Sequence, residues 1–198
     1  MYPESIKNLI ESFKLLPGIG EKTAERMCFF VLNLEDEKTS FFIESIKNVK
    51  EKIHKCPECN NYTEEDLCSI CKDESRDKTT LCVIEDVKSL YLFESLKTYN
   101  GLYHVIDNLI SPLNGINPED IGLEKLIKRI DSSKFKEVVI AVKANIEGET
   151  TALYIKKILE GKNLKISKIA SGVPMGADIE YIDQMTLQRA LADRKEIE

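Results

Sequence analysis

Four of the chain's six cysteines fall within sixteen residues, CPECNNYTEEDLCSIC, as two CxxC pairs, Cys56 with Cys59 and Cys68 with Cys71. A CxxC turn lets two sulfurs point at one ion, and two such turns complete the tetrahedron that Zn²⁺ takes in structural sites. The intervening NNYTEEDL is polar. It offers too few apolar residues for a core of its own, so metal is expected to supply most of the local folding free energy. An iron–sulfur cluster or a redox dithiol pair would use the same residue type. The closed set of four ligands favours one structural zinc. Cys28 and Cys82 stand in apolar runs, CFFVL and LCVI, and read as small buried hydrophobes. His54, beside the first pair, reads as a solvated linker residue, because the ligand set is full without it.

A second chemistry is offered by LPGIGEKTAERM. Pro17 is expected to end one helix, and Gly18 and Gly20 to allow a tight turn with φ > 0. Backbone N–H groups are then exposed at the start of the next helix, where they suit a phosphate oxygen. Lys22 and Arg26, four apart, lie on one face of that second helix and add two cations. The acids Glu21 and Glu25 weaken the local field, so one copy should bind an anionic backbone weakly and several copies far better. An ordinary connection with a glycine turn is the alternative.

The elements that must position these groups follow from the apolar pattern. Ile6, Leu9, Ile10, Phe13 and Leu16 share one helical face, TAERMCFFVLN repeats the pattern, and a third helix is expected from roughly Thr39 to Ile53. From Thr80 short β-branched runs (LCVIE, LYHVI, EVVIAV, LKISKIA) alternate with helical stretches (VKSLYLFESLKTY, LEKLIKRIDS, GETTALYIKKILEG, DQMTLQRALADR). That alternation predicts an α/β domain built on a parallel sheet covered on both faces, with function at the carboxyl ends of the strands. Glu85 and Asp86, Lys143 to Glu149, and Ser171 to Asp178 fall there. The expected domains are 1–54, a helical hairpin region; 55–78, the zinc knuckle; 79–175, the sheet domain; and 176–198, a helical tail.

At 198 residues and 42% hydrophobic, the chain can build one sizeable core or two small ones. No apolar run approaches the roughly 20 residues that span a bilayer. MYPESIKNLIESF lacks the basic start and apolar block of a secretory signal, so a cytoplasmic protein is expected. The net charge of −6 excludes a generally basic nucleic-acid coat and leaves any phosphate contact to a local patch or to backbone amides.

Two local resemblances sharpen this. LPGIGEKTAERM resembles the helix-hairpin-helix motif, which holds the DNA backbone without reading bases. A glutamate ending the first strand and a later DxDxxG element form the pattern of Toprim domains, whose three acids hold Mg²⁺ for phosphoryl transfer. Glu85 matches the glutamate. The second element reads KANIEG, with Gly148 in place but Lys143 and Asn145 at the two aspartate positions. Glu147 and Glu149 are the acids at hand to substitute as ligands; the alternative, which the dipole favours, is that they are first-turn acids of the next helix. The domain is therefore expected to be a Toprim fold without its catalytic centre.

The order of parts over essentially the whole chain resembles the bacterial RecR family of recombination mediators. Its markers are YPESIKNLIESFKLLPGIGEKTAERM, CPECNNYTEEDLCSIC, GLYHVIDNLISPLNGINPEDI, NIEGETTALYIKKIL and GVPMGADIEY. The resemblance implies a non-enzymatic role in repairing DNA gaps and breaks, as a ring-like homo-oligomer, dimer or tetramer, that acts with RecO and RecF to help load RecA. It makes Gly18, Gly20, Lys22 and Arg26 the DNA-contacting residues. It assigns Glu85, Asn145, Glu147, Gly148 and Glu149 to the Toprim face that meets RecO. Two departures fall on that face: the family commonly has Asn-Pro where this chain has Lys143 and Ala144, and AHG where it has Ala170, Ser171 and Gly172. The other classes are a Toprim-type nuclease or topoisomerase, which needs acids at 143 and 145 or an activated tyrosine, and a zinc-stabilised adaptor with no DNA contact.

Overall fold

A computed structural model describes residues 2–194 and 196 and divides the chain into two compact units, Met1–Ile53 and His54–Glu198. Met1 and, in the expected tail, Lys195, Ile197 and Glu198 lie outside the described residues.

The first unit is three helices, α1 (Glu4–Lys14), α2 (Glu21–Leu32) and α3 (Asp36–Lys52). Glu4 in the first turn of α1 and Lys14 in the last complement its dipole. Ile6, Leu9, Ile10 and Phe13 meet Ala24 and Cys28 of α2 and Ile19 of the turn. Leu16, expected on the same face, falls outside the helix and is half exposed. Pro17 does not end α1. The helix stops three residues earlier, where Leu15 N–H bonds Ser12 O (3.3 Å) and Leu16 N–H bonds Phe13 O (3.1 Å) in tight i→i−3 turns. The third helix begins one turn before the expected Thr39 and buries none of its residues among those described. Phe30 of α2 and Phe41, Ile43, Ile46 and Val49 of α3 stay more than half exposed.

The second unit opens with a two-stranded hairpin, β1 (His54–Lys55) against β2 (Tyr62–Thr63), followed by the short α4 (Ser69–Lys72). The sequence did not announce this hairpin. Then come β3 (Asp77–Ile84), α5 (Val87–Ser95), β4 (Gly101–Val105), two 3₁₀ turns, α6 (Leu123–Ser132), β5 (Glu137–Ala141), α7 (Ile146–Ile158), β6 (Lys165–Lys168) and α8 (Gln184–Ala192). The sheet is parallel, in the order β4-β3-β5-β6. Leu81 to Ile84 of β3 and all five residues of β4 are buried, so side chains on both faces of the sheet are covered. The strand β6, at one edge, is only partly covered.

The other edge, β4, is buried because something is built against it. Residues 103 and 105 turn their backbone groups away from β3. Val105 N–H donates to Cys59 O (2.8 Å), Val105 O accepts from Asn60 Nδ2 (2.7 Å), and Tyr103 O accepts from Arg129 (2.6 Å). The cysteine knuckle thus seals an edge that would otherwise present unpaired donors and acceptors. Cys56, Cys59, Cys68 and Ile70 belong to the same buried cluster as the sheet. The knuckle shares the core of the sheet rather than standing on metal alone.

Candidate functional site

The four cysteine sulfurs lie within 4.8 Å of one another, and those of Cys59 and Cys68 are 3.5 Å apart. A ZnS₄ tetrahedron with bonds of about 2.3 Å puts its sulfurs about 3.8 Å apart, so the set fits one zinc. The first CxxC turn closes with Asn60 N–H to Cys56 O (3.0 Å) and Cys56 N–H to Asn61 O (2.7 Å). Asn60 takes a left-handed backbone, φ 63°, which asparagine tolerates well. Two amides point at sulfur, Asn61 N–H at Cys59 (3.4 Å) and Cys68 N–H at Cys56 (3.5 Å). Hydrogen bonding to Cys68 and to Cys71, together with burial, holds the Cys59 thiol well above its ordinary value. A cation must therefore displace its proton. The centre is closed by four ligands, with Cys56, Cys59 and Cys68 buried and Cys71 partly buried, which suits structure rather than catalysis. His54 lies in β1 opposite Thr63, outside the ligand set.

Residues that sequence reasoning passed over surround this centre. Lys125 Nζ reaches Cys56 O (3.3 Å) and Asn60 Oδ1. Arg129 donates to Cys71 Sγ (3.6 Å) and pairs with Glu58 (3.7 Å). One signal was available: within LEKLIKRIDS, Arg129 occupies the buried stripe of Leu123, Leu126 and Ile130, where a cation needs a partner.

In the hairpin of the first unit, Gly18 has φ +79°, as the turn requires, but Gly20 does not. It is the extended N-cap of α2, φ −90°. A Cβ at Gly20 would meet nothing within 4 Å, so neither backbone nor packing demands glycine there. Lys22 and Arg26 are exposed on α2, and neither side chain makes a hydrogen bond or ion pair with a described residue. Glu21 is engaged by Lys14 (2.7 Å), which also pairs with Glu11. Its charge weighs less on Lys22 than the sequence suggested.

At the carboxyl end of the sheet, Glu85 follows β3 and is almost fully buried. Its Oε2 accepts from Lys143 N–H (3.1 Å), and its Oε1 lies 2.8 Å from Lys143 Nζ. The ion pair with Glu85 raises the Lys143 ammonium above its ordinary pKa. Asn145 caps α7, its Oδ1 accepting Gly148 N–H (2.8 Å). Glycine is needed at 148 for space: a Cβ would fall 1.8 Å from Lys143 O. Glu147 accepts from Ser111 Oγ (2.6 Å) and Asn145 Nδ2 (3.2 Å), anchoring the loop after β4. Glu149 turns to Lys168 (2.5 Å) and Arg189 of α8 (2.9 Å). The hydrogen bond from Lys168 holds its carboxyl below the usual range, with Arg189 assisting. Glu85, Asn145, Glu147 and Gly148 are thus brought together, and Glu149 serves the tail.

Comparison with known families decides what these parts belong to. Residues 6–50 match the RecR helix-hairpin-helix family, 53–73 the RecR four-cysteine zinc finger domain, 79–170 the Toprim domain and 172–195 the RecR C-terminal family. The chain is 41% identical to recombination protein RecR of Natranaerobius thermophilus over 196 residues, 99% of this chain and 98% of that protein. The chain belongs to the RecR family. The RecR zinc finger match coincides with the four-cysteine centre, so Cys56, Cys59, Cys68 and Cys71 are positioned to hold one structural zinc. The Toprim match spans the parallel sheet, as the alternating strands and helices predict. Among the described residues, no helix is long and apolar enough to cross a membrane.

Proposed function

We propose that this RecR-family chain is a non-enzymatic, cytoplasmic recombination mediator that holds DNA through the hairpin of its first unit. The observation that carries the non-enzymatic reading is the Lys143 ammonium, 2.8 Å from the remaining Toprim acid, Glu85. A tethered cation occupies the carboxylate that Mg²⁺ would need, and Asn145, at another acid position, is committed to capping α7. Of the three acids that phosphoryl transfer needs around its metal, only Glu85 is in place, and it is paired with Lys143.

The hairpin supports the DNA contact. Gly20 leaves open space beside the first amides of α2, so a phosphate can approach the backbone closely, and Lys22 and Arg26 stand free to flank it. Two cations and a helix end bind weakly. A ring of subunits multiplies them, which is how a chain of net charge −6 holds a polyanion. The uncovered apolar side chains of α2 and α3 favour such self-association. The surface above the buried Glu85 and Gly148, which exposes Asn145 and part of Glu147, is proposed as the docking face for RecO. Membership of the RecR family supports proposing, further, assembly with RecO and RecF and help in loading RecA.

Incubation with supercoiled and gapped DNA in Mg²⁺ or Mn²⁺ tests this against the enzymatic class. Neither nicking nor relaxation is expected, while RecO supplied with the protein should promote RecA assembly on gapped DNA coated by single-strand binding protein. Metal-dependent cleavage abolished by Glu85→Gln would overturn the proposal.

A further inference from the structure

We propose that α6 supplies the outer charge shell of the zinc centre, with Arg129 as a positioning residue at the Cys71 sulfur and Lys125 at the Cys56 turn. Zinc bound by four thiolates carries a net charge of −2. Here that charge is buried beside the apolar core of the sheet, where it is costly unless compensated. Arg129 is 7% exposed, and each of its nitrogens has an assignment. Nη2 donates to Cys71 Sγ (3.6 Å), Nη1 donates to Tyr103 O (2.6 Å), and Nε faces Glu58 (3.7 Å), which sits inside the first CxxC turn. His104 Nδ1 lies 3.5 Å from Nη1 and must accept, since arginine only donates.

Four residues earlier on the same helix, Lys125 reaches Cys56 O and Asn60 Oδ1. The pair therefore touches both CxxC turns, one through a ligand sulfur and one through a ligand's carbonyl. One guanidinium also bonds the free edge of β4 and the zinc ligand together. Metal retention and closure of the sheet edge thus share one side chain. Outer-shell partners of this kind typically change metal affinity about 10- to 100-fold.

The test uses the full-length protein, loaded with zinc and separately with Co²⁺. Arg129→Gln, Lys125→Met and a control, Arg76→Gln, are compared with the parent. Arg76 forms an ion pair with Glu94 and bonds Gly101 O in the same unit without touching sulfur. Zinc affinity is measured by competition with a chromogenic chelator, and the thiolate-to-cobalt charge-transfer band is recorded. Arg129→Gln should lose zinc affinity about 10- to 100-fold and Lys125→Met several-fold. The cobalt band should move to lower energy in Arg129→Gln, because a sulfur without its hydrogen bond gives up charge more readily. Arg76→Gln should lower stability and leave the band in place. The proposal falls if Arg129→Gln keeps its affinity and band, or if Arg76→Gln of equal stability loses as much zinc. Should Arg129→Gln fail to fold, Lys125→Met decides, and an unchanged zinc affinity there overturns the assignment.

Discussion

Replacing Gly148 by alanine tests how tightly the carboxyl end of the sheet is built. The new Cβ would sit 1.8 Å from Lys143 O and 2.9 Å from Lys143 C, with Asn145 Oδ1 at 3.3 Å. Closing the gap from 1.8 Å to an ordinary 3.4 Å contact moves backbone by about 1.6 Å. Neither side can yield freely, because Lys143 N–H is bonded to Glu85 and Asn145 caps α7 through Gly148 itself. Loss of the cap costs about 1 kcal/mol, overpacking about 1–3 kcal/mol, and a lost bond to a carboxylate about 1.5 kcal/mol. The sum is about 3.5–5.5 kcal/mol, read as a fall of about 1–2 M in the urea midpoint. Gly20→Ala, at φ −90° with no neighbour within 4 Å, should cost less than about 1 kcal/mol. Urea titrations followed by circular dichroism measure both. A Gly148→Ala protein within about 1 kcal/mol of its parent would refute a rigid loop between Glu85 and α7.

Three further outcomes follow from the same contacts. Lys143→Asp with Asn145→Asp removes the tethered ammonium and restores three acids, and calorimetry should then detect Mg²⁺ binding that the parent lacks; parent binding of equal strength would contradict the role given to Lys143. Asp86 caps α5 through Ser89 N–H, which holds its carboxyl below the usual range, with burial opposing. Its folded value is depressed, so the stabilisation is present above the unfolded aspartate value of about 3.9 and is lost as pH falls through the folded value. The advantage of the parent over Asp86→Ala, about 1 kcal/mol at neutral pH, should therefore vanish in acid, and a gap independent of pH would count against the cap. Stripping zinc with a chelator should expose the β4 edge and accelerate amide exchange at Tyr103 to Ile106; exchange changes confined to Cys56 to Cys71 would show that the knuckle does not seal the sheet.

Much of this architecture was legible in the residues. LEKLIKRIDS carries a helical apolar stripe and forms α6 over those ten residues. The CxxC spacing pairs the sulfurs within each turn, and the preference of zinc for a tetrahedron of four predicts that the two pairs meet, as they do. Long-range facts were hidden. The pattern did not show that the knuckle would lie on β4, since that contact is made by backbone groups of Cys59 and Val105 that carry no side-chain signature. It overestimated α1 by trusting Pro17, when tight turns at Leu15 and Leu16 end the helix first. It gave Gly20 a positive φ that Gly18 alone requires. Glu149 reads like Glu147 in sequence, yet two residues along the helix turn it toward Lys168 and Arg189.

The most direct test of the DNA-holding account is fluorescence anisotropy of a labelled gapped duplex across a salt series, comparing the parent with Lys22→Ala, Arg26→Ala. Each phosphate neutralised contributes about 0.9 to the slope of log affinity against log salt. Two cations per subunit should make the parent slope steeper by about 1.8 for each bound subunit, with the zinc content and circular dichroism of the double variant unchanged. Loss of binding and of that slope is the predicted result. Equal binding and equal slope in the two proteins would place DNA on another surface and contradict the account of the hairpin.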